Sequence, residues 1–333
     1  MNTDPDLRIG ITTTIPVEAV FAAGRRPVDL NNLFVAARDP EADVRRAEAR
    51  GFPRSFCAWV KGLYGTVLRT GVPAVVGVTR GDCSGTESLL EILSAEGIEV
   101  LPFGFPERPE PQAVEDAVRA LCERLGTDLA SARAQKERLD PVRARALELD
   151  RLAWRQGTVR GPELFDALLN TSDFRGDPEA YAAQLDRTLA QSRARNPRAQ
   201  GLRLGLLGVP PIFSDLVEAL EARAARVAFH EIPRQFALPE GRGTLGEAYA
   251  RYTYPYGAAG RVADIAAQTR RRGLHGLVHY VQSFCHRQVH DRLVREAVDV
   301  PVLTVEGDRP GPIDARTVTR IEAFLETLEA RWG

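Results

Sequence analysis

The chain holds four cysteines and five histidines, and the segment VQSFCHRQVHDRL (281–293) gathers Cys285, His286, His290 and Asp291 within seven positions. Side chains of this kind fit three chemistries: a zinc site, a nucleophilic cysteine with its base, or one ligand of a centre assembled from distant parts of the chain. Zinc has weak local support. Structural zinc sites carry closely spaced ligand pairs twice over, and the sequence contains no C-x-x-C. His286 and His290 could share one face of a helix, yet the stretch also reads as a solvated surface helix. His275 and His279 have the same spacing in a strand, where four residues span roughly 13 Å, so they do not chelate together. For a nucleophile, His286 is the chain neighbour of Cys285 and points away from it on a helix. His230 is the more distant base.

Three of the cysteines share a local setting. Cys285 falls between the apolar run LHGLVHYVQSF and a helical run, and Cys83 between PAVVGVTRGD and SGTESLLEIL. Cys57 opens the stretch CAWVKGLYGTVL behind Pro53 and Ser55. At a helix start, unpaired backbone N–H groups and the helix dipole favour a thiolate, the form that binds metal. Cys122 differs, because it lies on the apolar stripe of Val114, Ala117, Val118, Leu121 and Leu125 and is expected in the core. Three dispersed thiolates, at positions 57, 83 and 285, suit an iron–sulfur cluster, which accepts cysteines from separate segments. Three ligands on four irons leave one iron open to a substrate oxygen.

The elements that must position them follow a βα grammar. LRIGITTT (7–14), PAVVGVTRGD (73–82) and IEVLPFGFP (98–106) read as buried strands separated by helices. A helix runs from Pro16 to near Gly24. From 111 to 195 the pattern turns to long charged helices, and the polar RARNPRAQG (193–201) marks a boundary. The second half repeats the grammar, with strands at LRLGLLGVP, RVAFHEI, LHGLVHYVQSF and VPVLTVEGD. The expected class is α/β, two doubly wound parallel-sheet (Rossmann- or flavodoxin-like) domains with an intervening helical section: 1–110, 111–195 attached to the first, and 202–333.

Composition narrows the function classes. With 44 Lys+Arg against 45 Asp+Glu the net charge is -1, which offers no basic excess for nucleic acid. No apolar run approaches the roughly 20 residues of a membrane span. The opening MNTDPDLRIG lacks a signal-peptide core, so a cytoplasmic location is expected. In that reducing setting disulfides give way to metal or catalytic roles for cysteine. No G-x-x-x-x-G-K-[ST] loop is present and GLLGVPP lacks the G-x-G-x-x-G spacing, which argues against direct ATP or NAD binding.

At these residues the chain resembles the 2-hydroxyacyl-CoA dehydratase family, which includes benzoyl-CoA reductase subunits and the 2-hydroxyglutaryl-CoA dehydratase D-component type. The resemblance runs through TIPVEAVFAAGRRPVDL (14–30), SFCAWVKG around Cys57, GDCSGTESLLEIL around Cys83, GLLGVPP, GLVHYVQSFCH around Cys285 and VPVLTVEGDRPGPIDARTVTRIEAFLETL (300–328). It implies a [4Fe–4S] cluster at the interface of two domains, with Cys57, Cys83 and Cys285 at the ligand positions. It also implies an ATP-hydrolysing iron–sulfur activator protein as partner, a homologous second subunit or a homodimer, and oxygen-sensitive, anaerobic radical chemistry on an acyl-CoA substrate. One injected electron turns the thioester carbonyl into a ketyl radical that expels the 2-hydroxyl. Glu18 matches the family's opening acid and is the candidate catalytic carboxylate. The run CSGTESLLE departs from the family by lacking the lysine that many relatives carry there, and a double-cubane cluster for small-molecule reduction stays open.

Two other classes compete with this lyase or reductase reading. One is a non-catalytic electron-transfer or cluster-binding protein with the same three ligands. The other is a metal-free α/β binding protein. Thr12, Thr13 and Thr14 end the first strand as substrate or cap hydroxyls. Glu306, Asp308, Arg316 and Arg320 read as structural ion pairs near the last strand, and the tyrosines of RYTYPYGAAGR as a groove lining or a surface stack.

Overall fold

The computed structural model describes residues 7–198, 201–222 and 225–332. The first six residues of the expected leaderless N-terminus, and Ala199 and Gln200 of the expected boundary, lie outside the described residues.

Two four-stranded, wholly parallel sheets organise the chain. The first contains β1 (Arg8–Ile11), β2 (Arg26–Asp29), β3 (Ala74–Arg80) and β4 (Glu99–Gly104) in the order β2-β1-β3-β4. The second contains β5 (Leu202–Leu207), β6 (Ala225–His230), β7 (Gly276–Gln282) and β8 (Val302–Gly307) in the order β6-β5-β7-β8. Strands of a parallel sheet are covered on both faces, so they read as unbroken apolar runs rather than as alternation. All seven residues of β7 and the first five of β3 are buried accordingly. The α/β doubly wound class expected from the sequence is the observed one. Each sheet reverses its winding between its first and third strands, and such reversals open crevices beyond the strand carboxyl ends.

The strand β2 escaped the sequence reading. It has four residues, begins Arg-Pro and lies at the sheet edge, where proline removes no central ladder bond. Pro27 registers with Ile9 of β1. Two short helices missed in the same stretch follow it, Leu30–Val35 and Pro40–Ala49. Asp39 caps the second by accepting from Ala42 N at 3.0 Å, with Pro40 at its first position.

The chain forms two compact units. One comprises the chain through Arg143, Asn170–Ala182 and Leu238–Tyr256. The other comprises Ala144–Leu169, Ala183–Ala237 and the chain from Gly257 onward. The first unit's core centres on the helix Ala58–Thr70, whose Val60, Leu63, Tyr64 and Val67 pack with Leu30, Val75, Leu89 and Leu93. In the second unit, Leu207, Ala228, Phe229 and Leu277 of the sheet pack with Ile265 and Val294 of flanking helices. Cys122 is fully buried in the helix Pro111–Arg124, as its apolar stripe predicted. Among the described residues no helix is long and apolar enough to cross a membrane.

Candidate functional site

Cys83 follows β3 by three residues and is the N-cap of the helix Ser84–Ala95. The turn into it needs Gly81, whose φ is 102° and where an added Cβ would meet Pro255 at 2.7 Å. The half-buried Cys83 sulfur lies 3.5 Å from Thr86 Oγ1, which itself donates to Asp82 Oδ2 at 3.0 Å.

Cys57 is the N-cap of the helix Ala58–Thr70, with φ −51° and ψ 123°. Its side chain packs, like that of Cys83, against the first unit's core. A Cβ placed on Gly85 would stand 3.3 Å from Phe56 and Val60 and 3.5 Å from the Cys83 sulfur, so the starts of the two cysteine-headed helices meet. The approach to Cys57 is held by Lys61, one turn into the helix and almost wholly buried. Its ammonium pairs with Glu48 Oε1 at 2.8 Å and donates to Arg54 O at 3.0 Å.

Cys285 follows β7 by three residues, the place in the second sheet that Cys83 has in the first. It is half-buried and heads a five-residue 3-10 turn, His286–His290, rather than an α-helix. No Cys285 disulfide exists, nor one at any of the other cysteines. Two features expected of this stretch are corrected. His286 and His290 sit on a 3-10 turn that passes into a helix only at Asp291–Ala297, and the ring of His290 faces Arg261 at 3.5 Å. His230 is fully buried against the Phe165 ring, 5.5 Å between centroids, and burial pushes its pKa down to about 4. It is a neutral core ring.

Glu18 begins the helix Glu18–Ala22 in the first unit and is fully buried. Its Oε1 lies 2.8 Å from the Arg143 guanidinium, and Tyr249 donates to its Oε2 at 2.9 Å. Burial works against the Arg143 charge, but the Glu18 carboxylate outweighs it and raises that pKa. Burial first, and Glu18 next, raise the pKa of Tyr249. Glu18 is thus held by Arg143 and Tyr249, and Arg143 also reaches Asp140 at 3.1 Å.

A family model described as 2-hydroxyglutaryl-CoA dehydratase, D-component, matches residues 12–328. The chain belongs to that family. No curated protein matches it. Among solved structures, the SBP FpvC of Pseudomonas aeruginosa with Ni2+ is 12% identical over 98% of both chains with a TM-score of 0.27. The same protein with Mn2+ is 14% identical over 98% of both chains, with a TM-score of 0.25. Likeness at those TM-scores supports no argument about fold or ligand.

This dehydratase-family chain thus has an enzyme-type subunit role, and its donor set can be weighed for an iron–sulfur group. Three cysteines are half-buried, stand at the heads of helical segments, and make no side-chain cap hydrogen bond to them. The fourth, Cys122, is enclosed, and burial first, then Asp128 and Glu123, push its pKa up to about 11. That division fits a cluster. Among the described residues no three His, Cys, Asp or Glu side chains form a ready-made metal nest.

The remaining sequence candidates of this 2-hydroxyglutaryl-CoA dehydratase relative have structural partners. Thr12 Oγ1 accepts from Val78 N at 3.2 Å, joining β1 to β3. Glu306 lies within β8 and accepts from Ser283 Oγ at 2.8 Å, Asp308 O accepts from Gln282, and Arg320 donates to Thr304 O, in place of the expected ion pairs. Tyr252 and Tyr254 stack inside the first unit rather than on its surface. Sequence reasoning missed Lys61, Arg143, Tyr249, Glu231 and Arg261. For Lys61 a signal exists: it lies four residues after Cys57 on the apolar face of the same helix.

Proposed function

We propose that the chain is the iron–sulfur subunit of a 2-hydroxyacyl-CoA dehydratase-type lyase, or of a related reductase, with Cys57, Cys83 and Cys285 as ligands of a [4Fe–4S] cluster. The observation that supports it most is the sorting of the four cysteines. Three head helical segments at half-buried positions, two of them after the third strand of their sheets, while the fourth is sealed in a helix core. The cluster, when bound, supplies one-electron transfer to an acyl-CoA thioester, by way of ketyl chemistry.

The chain's own residues have defined tasks in that reading. Lys61 fixes the Pro53–Cys57 approach through Glu48 and the carbonyls of Pro53 and Arg54. Cys57 and Cys83 stand at the N-caps of 13-residue and 12-residue helices, where the positive end of the helix dipole suits an anionic, metal-bound sulfur. Glu18, closed in by Arg143 and Tyr249, keeps the first helix docked, and proton handling by its carboxylate would require that triad to open. Electron delivery by a separate ATP-hydrolysing iron–sulfur activator is what the family resemblance implies, and the chain itself carries no G-x-x-x-x-G-K-[ST] loop. A homologous second subunit or a second copy completes the assembly.

The test is iron and sulfide content with EPR on anaerobically prepared protein and on four Cys→Ala variants. Loss of the signal in Cys57→Ala, Cys83→Ala and Cys285→Ala, with retention in Cys122→Ala, is expected. A change in the EPR signal on adding acyl-CoA to the reduced protein is expected of the enzyme; an unchanged signal would instead favour simple electron transfer.

A further inference from the structure

The turn that carries Cys285 is not held by burial. None of the residues His286–His290 is buried, and Val289 is 72% exposed. Phe284, immediately before the cysteine, is 59% exposed with a φ of 65°, a left-handed backbone that a bulky residue adopts only where its neighbours enforce it. A short 3-10 turn has poor intrinsic stability. Its ends must therefore fix it.

At the near end Cys285 N donates to Gln282 O at 3.0 Å, and Ser283 N to Gly307 O at 2.8 Å. At the far end a buried polar chain takes over. The Arg261 guanidinium donates to both oxygens of Glu231, at 2.5 and 2.9 Å, and stands 3.2 Å from His279 Nε2 and 3.5 Å from His290 Nδ1. Glu231 in turn accepts from Gly208 N at 2.8 Å, in a turn that only glycine fits: its φ is 94°, and a Cβ would stand 2.0 Å from Tyr280 O. His279 Nδ1 lies 2.8 Å from Asp291 Oδ1, which also accepts from Thr304 at 2.8 Å, while Arg295 donates to Asp291 Oδ2 at 2.6 Å.

These contacts fix the tautomer. An arginine only donates, so His279 Nε2 accepts from it and Nδ1 carries the proton given to Asp291. Burial first, and the Arg261 charge next, hold His279 below its ordinary pKa, in keeping with a neutral ring.

We propose that Arg261 is a positioning residue for Cys285, one buried guanidinium tying the carboxyl ends of β5 and β6 and the middle of β7 to the far end of the cysteine turn through His290 and the His279–Asp291 pair. The inference rests on Cys285 being a ligand for its purpose, but it concerns where the sulfur is held with or without iron. The measurement is iodoacetamide alkylation of iron-free native protein, followed peptide by peptide, with Cys83 of the first unit as internal reference. Arg261→Lys keeps a cation beside Glu231 but lacks the fork that reaches both histidines. It should change the Cys285 rate by about fivefold and leave Cys83 unchanged. Because loss of this group can disturb folding, His290→Ala and Asp291→Asn, at half-exposed positions, serve as companions with changes of roughly twofold at Cys285 alone. In iron-loaded protein the same variants should retain their iron and shift the EPR line shape. Unaltered Cys285 alkylation in all three variants overturns the inference. Iron retained in Cys285→Ala would sink the ligand assignment by itself, and the alkylation series would still decide the positioning role.

Discussion

Cys83 and Cys285 occupy the same place in two sheets of the same strand order, three residues past the third strand, yet the chain secures them by opposite means. Cys83 packs against an apolar core and heads a 12-residue helix. Cys285 heads a turn without a buried residue, and the far end of that turn is held by arginine, histidine and carboxylate. Apolar packing is spread over many weak contacts and tolerates single changes. A buried polar chain concentrates its stability in a few groups, so one deletion leaves the rest unpaired. The repeat of topology is thus not a repeat of mechanics, and the turn behind Cys285 is where loss of a single polar group should be felt most.

Arg261→Met is the severest break of this comparison. It leaves the Glu231 carboxylate buried without a cation and strips a donor from His279. A cost of about 3–5 kcal/mol to the second unit is expected. Urea titration followed by hydrogen exchange should show the loss in β5–β8, while β1–β4 amides keep their protection. Equal loss in both sheets would contradict the separate anchoring described here.

The two units should also answer pH in opposite senses. In the first, Asp29 at the end of β2 and Asp173 are buried side by side, with Asp173 bonded to Asp29 N at 2.8 Å. Burial, and for Asp173 next the Asp29 charge, raise both pKa values, that of Asp173 to about 7. A carboxyl pKa raised on folding gives stability that is full below the unfolded value of 3.8 and is lost as pH rises through about 7. In the second unit His230 is depressed from 6.5 to about 4 by burial, so its stability is full above 6.5 and is lost as pH falls towards 4, on the order of 3 kcal/mol. Between those limits hydrogen-exchange protection of β1 and β3 should fall with rising pH while that of β5 and β7 grows. Asp173→Asn should flatten the first limb, and His230→Phe, which keeps the ring contact with Phe165, the second. Parallel slopes in the two sheets would be incompatible with these assignments.

A smaller effect is expected at Lys61, a buried cation of the first unit. Lys61→Met removes the ion pair with Glu48 and the bonds to Pro53 O and Arg54 O, but Glu48 keeps an 18% exposed side chain and regains water. A loss of about 1–3 kcal/mol follows, with faster proteolysis near residue 54 as the local readout.

The contrast also explains what the sequence revealed. The strands β3 and β7 and the cysteines behind them were legible because burial on both faces writes an apolar run and a helix start follows at once. The four residues of β2 were not, since Arg26 and Pro27 carry no such run. Arg261 was hidden for a different reason. It stands in GRVADIAAQTRRRG among other arginines that read as solvated, and only the fold shows that it is 3% exposed. Glu18 was found by its place in a family pattern, whereas its partner Tyr249, 231 positions away, leaves no local trace.

Cys122 sharpens the comparison from the opposite side, because it is fully enclosed within its helix whereas Cys83 is half-buried. With its pKa raised to about 11 the thiol is almost wholly protonated at neutral pH and shielded from reagents. Native protein should therefore alkylate at Cys83 and Cys285 first, and at Cys122 only at the rate of unfolding. Cys122→Ala removes a sulfur from a packed site, with an expected cost of about 1–2 kcal/mol and no change in bound iron. Rapid labelling of Cys122 in folded protein would mean that the helix Pro111–Arg124 opens locally, and apolar enclosure would then no longer separate the core cysteine from the three assigned to the cluster.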